Sequence, residues 1–304
     1  MFIFGEEQLE RLCKQNAFEI PDDGLIFFGL RGCMPINTDY TSFSDSQKLQ
    51  VNSVNYLNPR CTIGQWIRGR GLAVFLGSTV PWQYNVQNGR NRDGEEVNQL
   101  MTGIFRDYKK DFHKAGKPTG HPAFRQENKL PLRRTVDDLD FDNYDRVEYE
   151  AAFDNIHCGW SMGPNDKYSS AGCQVVIGYP KCERRGNSPD TGHWKIFKEN
   201  AYRLSQDRFT YILLEGRDAQ NASLTGSEEL NSRLRYGSKG SLVSDLQQLL
   251  KNENFYPSEI DGEFGFQTLT ALLNFQKATF GISGADGVVG PNTSEALGLS
   301  LPTV

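Results

Sequence analysis

Apolar residues recur at helical spacing over residues 6–17, with Leu9, Leu12 and Cys13 on one face, which predicts a short amphipathic helix. The run Gly24 to Arg31 is almost wholly apolar and reads as a buried strand that ends at a Gly-Cys-Met-Pro turn. Residues 47–57 alternate loosely. Trp66 to Val80 predict a strand pair broken at Arg68-Gly69-Arg70-Gly71. Residues 85–130 are polar without a period and are expected to be loop. Residues 146–153 return to strand-like alternation. Trp194, Phe197, Ala201 and Leu204 then share one face of a helix over 193–206, and Phe209 to Leu214 read as a closing strand.

The pattern changes after residue 217. Residues 217–232 are small and polar and read as a linker. Beyond it, Leu242, Leu246, Leu249 and Leu250 mark one helix, and Leu269, Leu272, Leu273 and Phe275 mark a second. Asp261-Gly262-Glu263-Phe264-Gly265 is echoed by Asp286-Gly287-Val288-Val289-Gly290. In each copy Asp-Gly supplies a turn, and a threonine, Thr268 or Thr293, lies at the next helix start. The boundaries expected are a first domain over 1–218, a linker over 219–232 and a C-terminal domain over 233–304.

Composition narrows the class. With 304 residues the chain can bury a core without disulfide staples, and its net charge of −5 argues against a general nucleic-acid binder. Aromatic content of 12% with 30 glycines suggests a turn-rich, strand-rich body. Six scattered cysteines with no C-x-x-C pair give neither a disulfide framework nor a zinc ribbon. The N-terminal residues show no signal peptide, and no stretch is long and apolar enough to span a membrane.

The candidate chemistry lies between Asn155 and Val176. His157 precedes Cys173 by sixteen residues, and glycines flank both. Cys173 ends the small-residue turn Ser169-Ser170-Ala171-Gly172. A thiol becomes a nucleophile as thiolate, and a nearby imidazole can take its proton. Gly172 and Ala171 let backbone approach a substrate, where N–H groups could hold an oxyanion. Cys158 is a rival nucleophile, but on a strand it would point away from His157. His113 and His121 have no spacing of a known metal site and are expected to be solvated loop histidines. The acidic run Asp137 to Arg146 matches a calcium loop in composition only and is expected to be a solvated loop.

Two stretches resemble known families. The pattern K-G-x-x-V-x-x-L-Q-x-L-L, D-G-x-F-G-x-x-T, F-Q and D-G-V-V-G-x-x-T closely resembles the peptidoglycan-binding family 1 domain. That implies a small all-α, three-helix module that docks cell-wall peptide or glycan. Ile156-His157-Cys158-Gly159 followed by Ser170-Ala171-Gly172-Cys173 resembles the L,D-transpeptidases of the YkuD type. This second resemblance implies a mainly β catalytic domain, a YkuD-like β-sandwich with added loops and helices, in which the cysteine forms a thioester with a peptidoglycan stem peptide. Carried over, Cys173 is the nucleophile and His157 its base, oriented by a backbone carbonyl. Ser170, Ala171 and Gly172 shape the site, and the Cys173 N–H is an oxyanion donor. Ala171 stands where the family has His, and Val175 where it has Arg. Substrate binding is therefore assigned to Trp160, Tyr168, Arg133, Arg134, Arg184 and Arg185.

The expected function is a cysteine L,D-transpeptidase or L,D-carboxypeptidase acting on stem peptides, without cofactor or metal. The rivals are a metal-dependent amidase or peptidase using His113, His121 or His157, and a non-catalytic wall-binding component of a phage or injection apparatus. Expected partners are peptidoglycan stem peptides and glycan, with a secretion apparatus, a phage particle or an immunity protein as further candidates, and neither nucleic acid nor a membrane span. Action at the cell wall or periplasm without a visible export signal implies non-classical delivery, as for a secreted effector.

Overall fold

The structure is a computed structural model that describes residues 1–36, 40–92, 97–135, 141–225 and 230–304. It opens with strand β1 (Phe2–Gly5) and helix α1 (Glu6–Gln15), then β2 (Leu25–Arg31), β3 (Cys33–Pro35) and β4 (Ser46–Val51). β5 (Cys61–Ile67) and β6 (Gly71–Ser78) precede helix α2 (Gln83–Arg92) and the short β7 (Asn98–Leu100). β8 (Gly103–His113), β9 (His121–Gln126), β10 (Leu130–Arg134), β11 (Arg146–Glu150), β12 (Ile156–Cys158) and β13 (Gln174–Val176) follow. Helix α3 (Gly192–Tyr202) leads to β14 (Arg208–Glu215), and helices α4 (Gly216–Leu224), α5 (Ser241–Asn252), α6 (Phe266–Phe280) and α7 (Pro291–Leu297) finish the chain.

Eight strands close a barrel in the order β12-β13-β6-β5-β2-β14-β8-β9. The ring shuts where Ile156 of β12 pairs with Phe124 of β9. A closed ring thus stands in place of the expected sandwich, and closure leaves no unpaired edge in this sheet. Side chains from all eight strands meet in one core, including Phe27, Phe75, Phe105, Phe124, Cys158 and Tyr211, to which α3 adds Trp194 and Phe197. The alternate residues of β2, β5, β6 and β14, such as Phe28, Trp66, Val74 and Ile212, pack instead with α1 and α4. Burial on both faces is why these strands read as unbroken apolar runs.

Three expectations are corrected by this architecture. Residues 85–130, expected to be loop, hold α2, β7, β8 and β9. In β8 the buried Ile104, Phe105 and Tyr108 share a strand with partly exposed Lys109 and Lys110 and exposed Asp111, so the charged residues mask the strand in the sequence. The stretch expected to be linker contains α4, whose Ala219 and Ala222 are fully buried in the core shared with α1. Alanine on the inner face lets that helix approach closely, and small residues misled the reading. Of the acidic run, residues 136–140 lie outside the described residues; in the remainder, Asp145 is buried and accepts from the Asp142 N–H.

The C-terminal helices surround their own core of Val243, Leu246, Leu250, Leu269, Leu272 and Val289. α7 starts on Pro291 and stops at Gly298, which sits in the left-handed region at φ 69°. Each Asp-Gly turn wraps a buried glutamine from the preceding helix. Gln247 Nε2 donates to Asp261 Oδ1 (2.7 Å) and the Glu263 carbonyl (3.1 Å), and its Oε1 accepts from the Gly262 N–H (3.0 Å). Gln276 repeats this with Asp286 Oδ1 (2.9 Å), the Val288 carbonyl (3.0 Å) and the Gly287 N–H (2.9 Å).

The module is joined to the barrel by bonds along its length. Tyr236 bridges Gly103 of β8, and the Ile104 N–H donates to the Tyr236 carbonyl at 3.1 Å. Arg235, 2% exposed, donates to Asp218 Oδ2 of α4 at 3.2 Å and to Thr102 Oγ1 at 3.2 Å. Arg133 of β10 donates to the Ala285 carbonyl at 3.2 Å. No helix among the described residues is long and apolar enough to cross a membrane.

Candidate active site

β12 and β13 run parallel, with His157 opposite Val175. Ile156 and Cys158 point into the barrel core, so His157 points away from it. Cys173 precedes Val175 by two residues and therefore shares its face, where both pack with Tyr168 and Trp82. A parallel pair needs a crossover, here residues 159–173, and the thiol sits at its return. The backbone ladder thus brings imidazole and thiol to one side of one sheet.

A ring nitrogen of His157, a ring nitrogen of His113 and Cys173 Sγ lie within 4.8 Å of one another. His157 Nδ1 donates to the Cys158 carbonyl at 2.8 Å, which leaves Nε2 with its lone pair bare. Cys173 is 9% exposed, and its Sγ lies 3.5 Å from the Phe153 carbonyl. Phe153 has φ 58°, a left-handed conformation uncommon for a bulky residue.

The turn before Cys173 is fixed by Ser170. Its Oγ accepts from the Gly172 N–H (3.1 Å) and donates to the Cys173 carbonyl (2.7 Å). The Ser170 carbonyl accepts from the Trp82 N–H (2.9 Å) and Asn85 Nδ2 (2.6 Å). Gly172 lies at φ +145°, and a Cβ there would stand 2.4 Å from Asn98 Nδ2 and 2.6 Å from Asp154 Oδ1. Ala171 is exposed. Asp154 is buried, accepts from Asn98 Nδ2 at 2.6 Å, and adjoins the turn that carries the thiol.

Burial holds the Cys173 thiol and the His157 and His113 imidazoles neutral at rest. Burial, then the neighbouring Asp154, push the Cys173 thiol up to about 12. Burial, then His113 and His121, push His157 well below the usual imidazole value. His113 falls to about 3 through burial and the neighbouring His121. Burial raises Asp154 to about 7, against the lowering effect of its bond from Asn98.

His113 and His121 are paired residues of β8 and β9, not loop residues as expected. His121 is fully buried, with Nδ1 on the Thr119 carbonyl at 2.8 Å. The rings of His113 and His157 stack at 3.9 Å with an interplanar angle of 10°. No sequence spacing announced this contact, because it joins strands far apart in the chain.

The residues assigned to substrate binding are differently placed. Tyr168 is buried and its hydroxyl donates to the Pro81 carbonyl at 2.9 Å. Arg133 is buried and donates to the Asp142 carbonyl (2.7 Å) and Asn143 Oδ1 (3.0 Å). Arg134 binds Glu148 and Glu150, each at 2.6 Å. Arg185 donates to the Pro180 carbonyl at 2.7 Å and packs over the Tyr179 ring. Arg184 is exposed, and its N–H donates to the Pro118 carbonyl, which ties this residue to the β8–β9 turn. Trp160, partly exposed at φ 57°, lies 6.2 Å from the His121 ring. Cys158 is buried in the barrel core, and burial pushes its thiol well above its usual value.

Comparison with known proteins decides the nature of the C-terminal module. Residues 239–297 match the family described as "Putative peptidoglycan binding domain". The match covers the C-terminal helices α5 to α7 and the turns between them. The Spore cortex-lytic enzyme of Bacillus cereus is 40% identical over 67 residues, 22% of this chain and 25% of the relative. That of Bacillus subtilis (strain 168) is 37% identical over 67 residues, 22% of each. N-acetylmuramoyl-L-alanine amidase CwlM of Mycobacterium tuberculosis is 41% identical over 58 residues, 19% of this chain and 14% of the relative. The chain thus spans a quarter or less of the length of these relatives. No solved structure matches it. The matched family is one of peptidoglycan binding by its description, and the similar proteins are by name a cortex-lytic enzyme and an amidase.

Proposed function

We propose that the barrel domain, residues 1–218, is a peptidoglycan-modifying acyl transferase or hydrolase that works through a Cys173 thioester at stem peptides. Residues 233–304 bring it to the cell wall, its site of action. The observation that carries this reading is the His157–Cys173 pair, with Nδ1 of His157 committed to a backbone carbonyl and the opposite nitrogen left as base. Because thiol and imidazole are both neutral at rest, proton transfer from Sγ to Nε2 accompanies attack. The S–C bond forms at the carbonyl of the L-centre of the third stem residue. The C–N bond then breaks, and the imidazolium returns the proton to the departing D-alanine amine. An amine acceptor completes an L,D-transpeptidase cycle; water completes an L,D-carboxypeptidase cycle.

A metal hydrolase is the second reading, favoured by the His113–His157–Cys173 donor set. A zinc ion lies in the plane of each imidazole that binds it, about 2 Å from nitrogen. Stacked rings with an interplanar angle of 10° keep their lone pairs in separate, nearly parallel planes, so one ion does not lie in the plane of both. The cysteine reading is therefore preferred. Purified muropeptides incubated with the enzyme and resolved by mass spectrometry test it. Loss of turnover in Cys173→Ala and after thiol alkylation, with turnover kept in EDTA, supports the thioester path. Unchanged turnover in Cys173→Ala sinks it.

A further inference from the structure

His113 is the one imidazole in contact with His157 whose tautomer is set by a side-chain amide. The Gln126 N–H donates to Asn155 Oδ1 at 3.1 Å, which identifies that atom as the amide oxygen and turns the NH2 toward His113. Asn155 Nδ2 lies 3.2 Å from His113 Nδ1. An amide NH2 can only donate, so Nδ1 of His113 accepts and its proton resides on Nε2. His157 carries the opposite tautomer, because its Nδ1 donates to a carbonyl. The two stacked rings thus carry one bare Nε2 and one Nε2–H, and a nitrogen of each ring lies within 4.8 Å of Cys173 Sγ. His113 is partly exposed, whereas His157 and His121 are buried, so substrate can touch it.

We propose that His113 is a catalytic hydrogen-bond donor of this site, whose Nε2–H holds the oxyanion of the tetrahedral intermediate formed on Cys173. This rests on the acyl-transfer reading above. On attack, the carbonyl π electrons move to oxygen while the S–C bond forms. The His113 proton stays on its nitrogen and returns to the same bond when the C–N bond breaks. The distances allow it: an oxyanion on the carbon bonded to Sγ lies within about 3 Å of sulfur, and its donor about 3 Å further on. A nitrogen of each ring lies within 4.8 Å of Sγ, and the two nitrogens of one imidazole are only about 2 Å apart. A neutral donor suits the task, since a second cation stacked on His157 would oppose proton uptake from the thiol. Asn155 is a positioning residue in this arrangement, acting through His113.

The test separates attack from intermediate stabilisation. In full-length His113→Ala, kcat for a stem tetrapeptide should fall roughly 100- to 1,000-fold. The rate at which iodoacetamide alkylates Cys173, a reaction with no oxyanion, should change by less than about threefold. His113→Gln, which keeps an N–H donor, should recover part of the loss. Histidine-labelled wild-type protein should show His113 as the Nε2–H tautomer by 15N NMR, a readout that needs no variant to fold. Retained kcat in His113→Ala, a parallel fall in alkylation, or an Nδ1–H tautomer each overturns the proposal. Failure of wild type to form an acyl-enzyme overturns the acyl-transfer reading and this role with it. Turnover in wild type that survives loss of His113 overturns only this role.

Discussion

Replacing Gly172 with alanine tests the turn that presents Cys173. At φ +145° the new side chain enters a region that L residues rarely adopt, a strain of about 1–3 kcal/mol. Its Cβ would stand 2.4 Å from Asn98 Nδ2 and 2.6 Å from Asp154 Oδ1, whereas ordinary contact begins near 3.4 Å. Either the Asn98–Asp154 bond opens or the turn retreats by about 1 Å. Opening a buried bond of this kind costs about 1–3 kcal/mol. The sum, about 2–6 kcal/mol, lowers Tm by roughly 4–24 °C for a domain of this size. Under the proposed function, a retreat of 1 Å at Cys173 costs about 100-fold in rate. Differential scanning calorimetry with stem-peptide turnover measures both. A Gly172→Ala protein with unchanged Tm and full turnover would refute the argument that this glycine is held between the thiol and the Asn98–Asp154 pair.

Three more outcomes follow from the site and the module. Native Cys173 should react with iodoacetamide at pH 7 at least 100-fold more slowly than in the unfolded chain, because its thiol is pushed up to about 12; the rate should climb through pH 9 and above, as peptide mapping would show. Asp154 has a folded value of about 7, raised above its unfolded value near 3.8, so its contribution is fully present below pH 3.8 and is lost as pH rises through 7. Asp154→Asn should therefore match wild type in urea melts at pH 4 and exceed it at pH 8, by an amount on the order of 3 kcal/mol; equal pH slopes would contradict this. Gln247→Ala should cost the module about 2–4 kcal/mol by removing the bonds that hold the Asp261 turn, and should weaken pelleting with purified walls while leaving Cys173 alkylation unchanged.

The module was legible because its turns are local. Asp-Gly and the leucine spacing fix helix ends within a few residues, and those signals survive in any context. The glutamines inside the turns were not legible, since a buried glutamine and a surface one look alike in sequence. In the barrel, apolar strands such as β2 and β6 announced themselves by burial on both faces. β8 did not, because Lys109, Lys110 and Asp111 crowd it with charge and a register shift between Phe105 and Tyr108 breaks its period of two. His157 and Cys173 could be paired from their glycine-flanked positions on neighbouring strands. His113, Asn98 and Asp154 reach that pair only through sheet closure and chain crossings, which one-dimensional spacing does not encode.

The seam between barrel and module changes how the protein would work a polymer. A binding module on a loose tether multiplies local concentration and lets the reacting group sweep a volume. Here Arg235 is buried against Asp218, and Tyr236 is hydrogen-bonded to β8. Under the proposed function the module acts as a ruler rather than a leash. Cys173 would meet stems at a set offset from the anchoring point and from one side of the strand, and the next stem would come within range only after release and rebinding. Product spacing along a glycan would then record the dimensions of the protein itself.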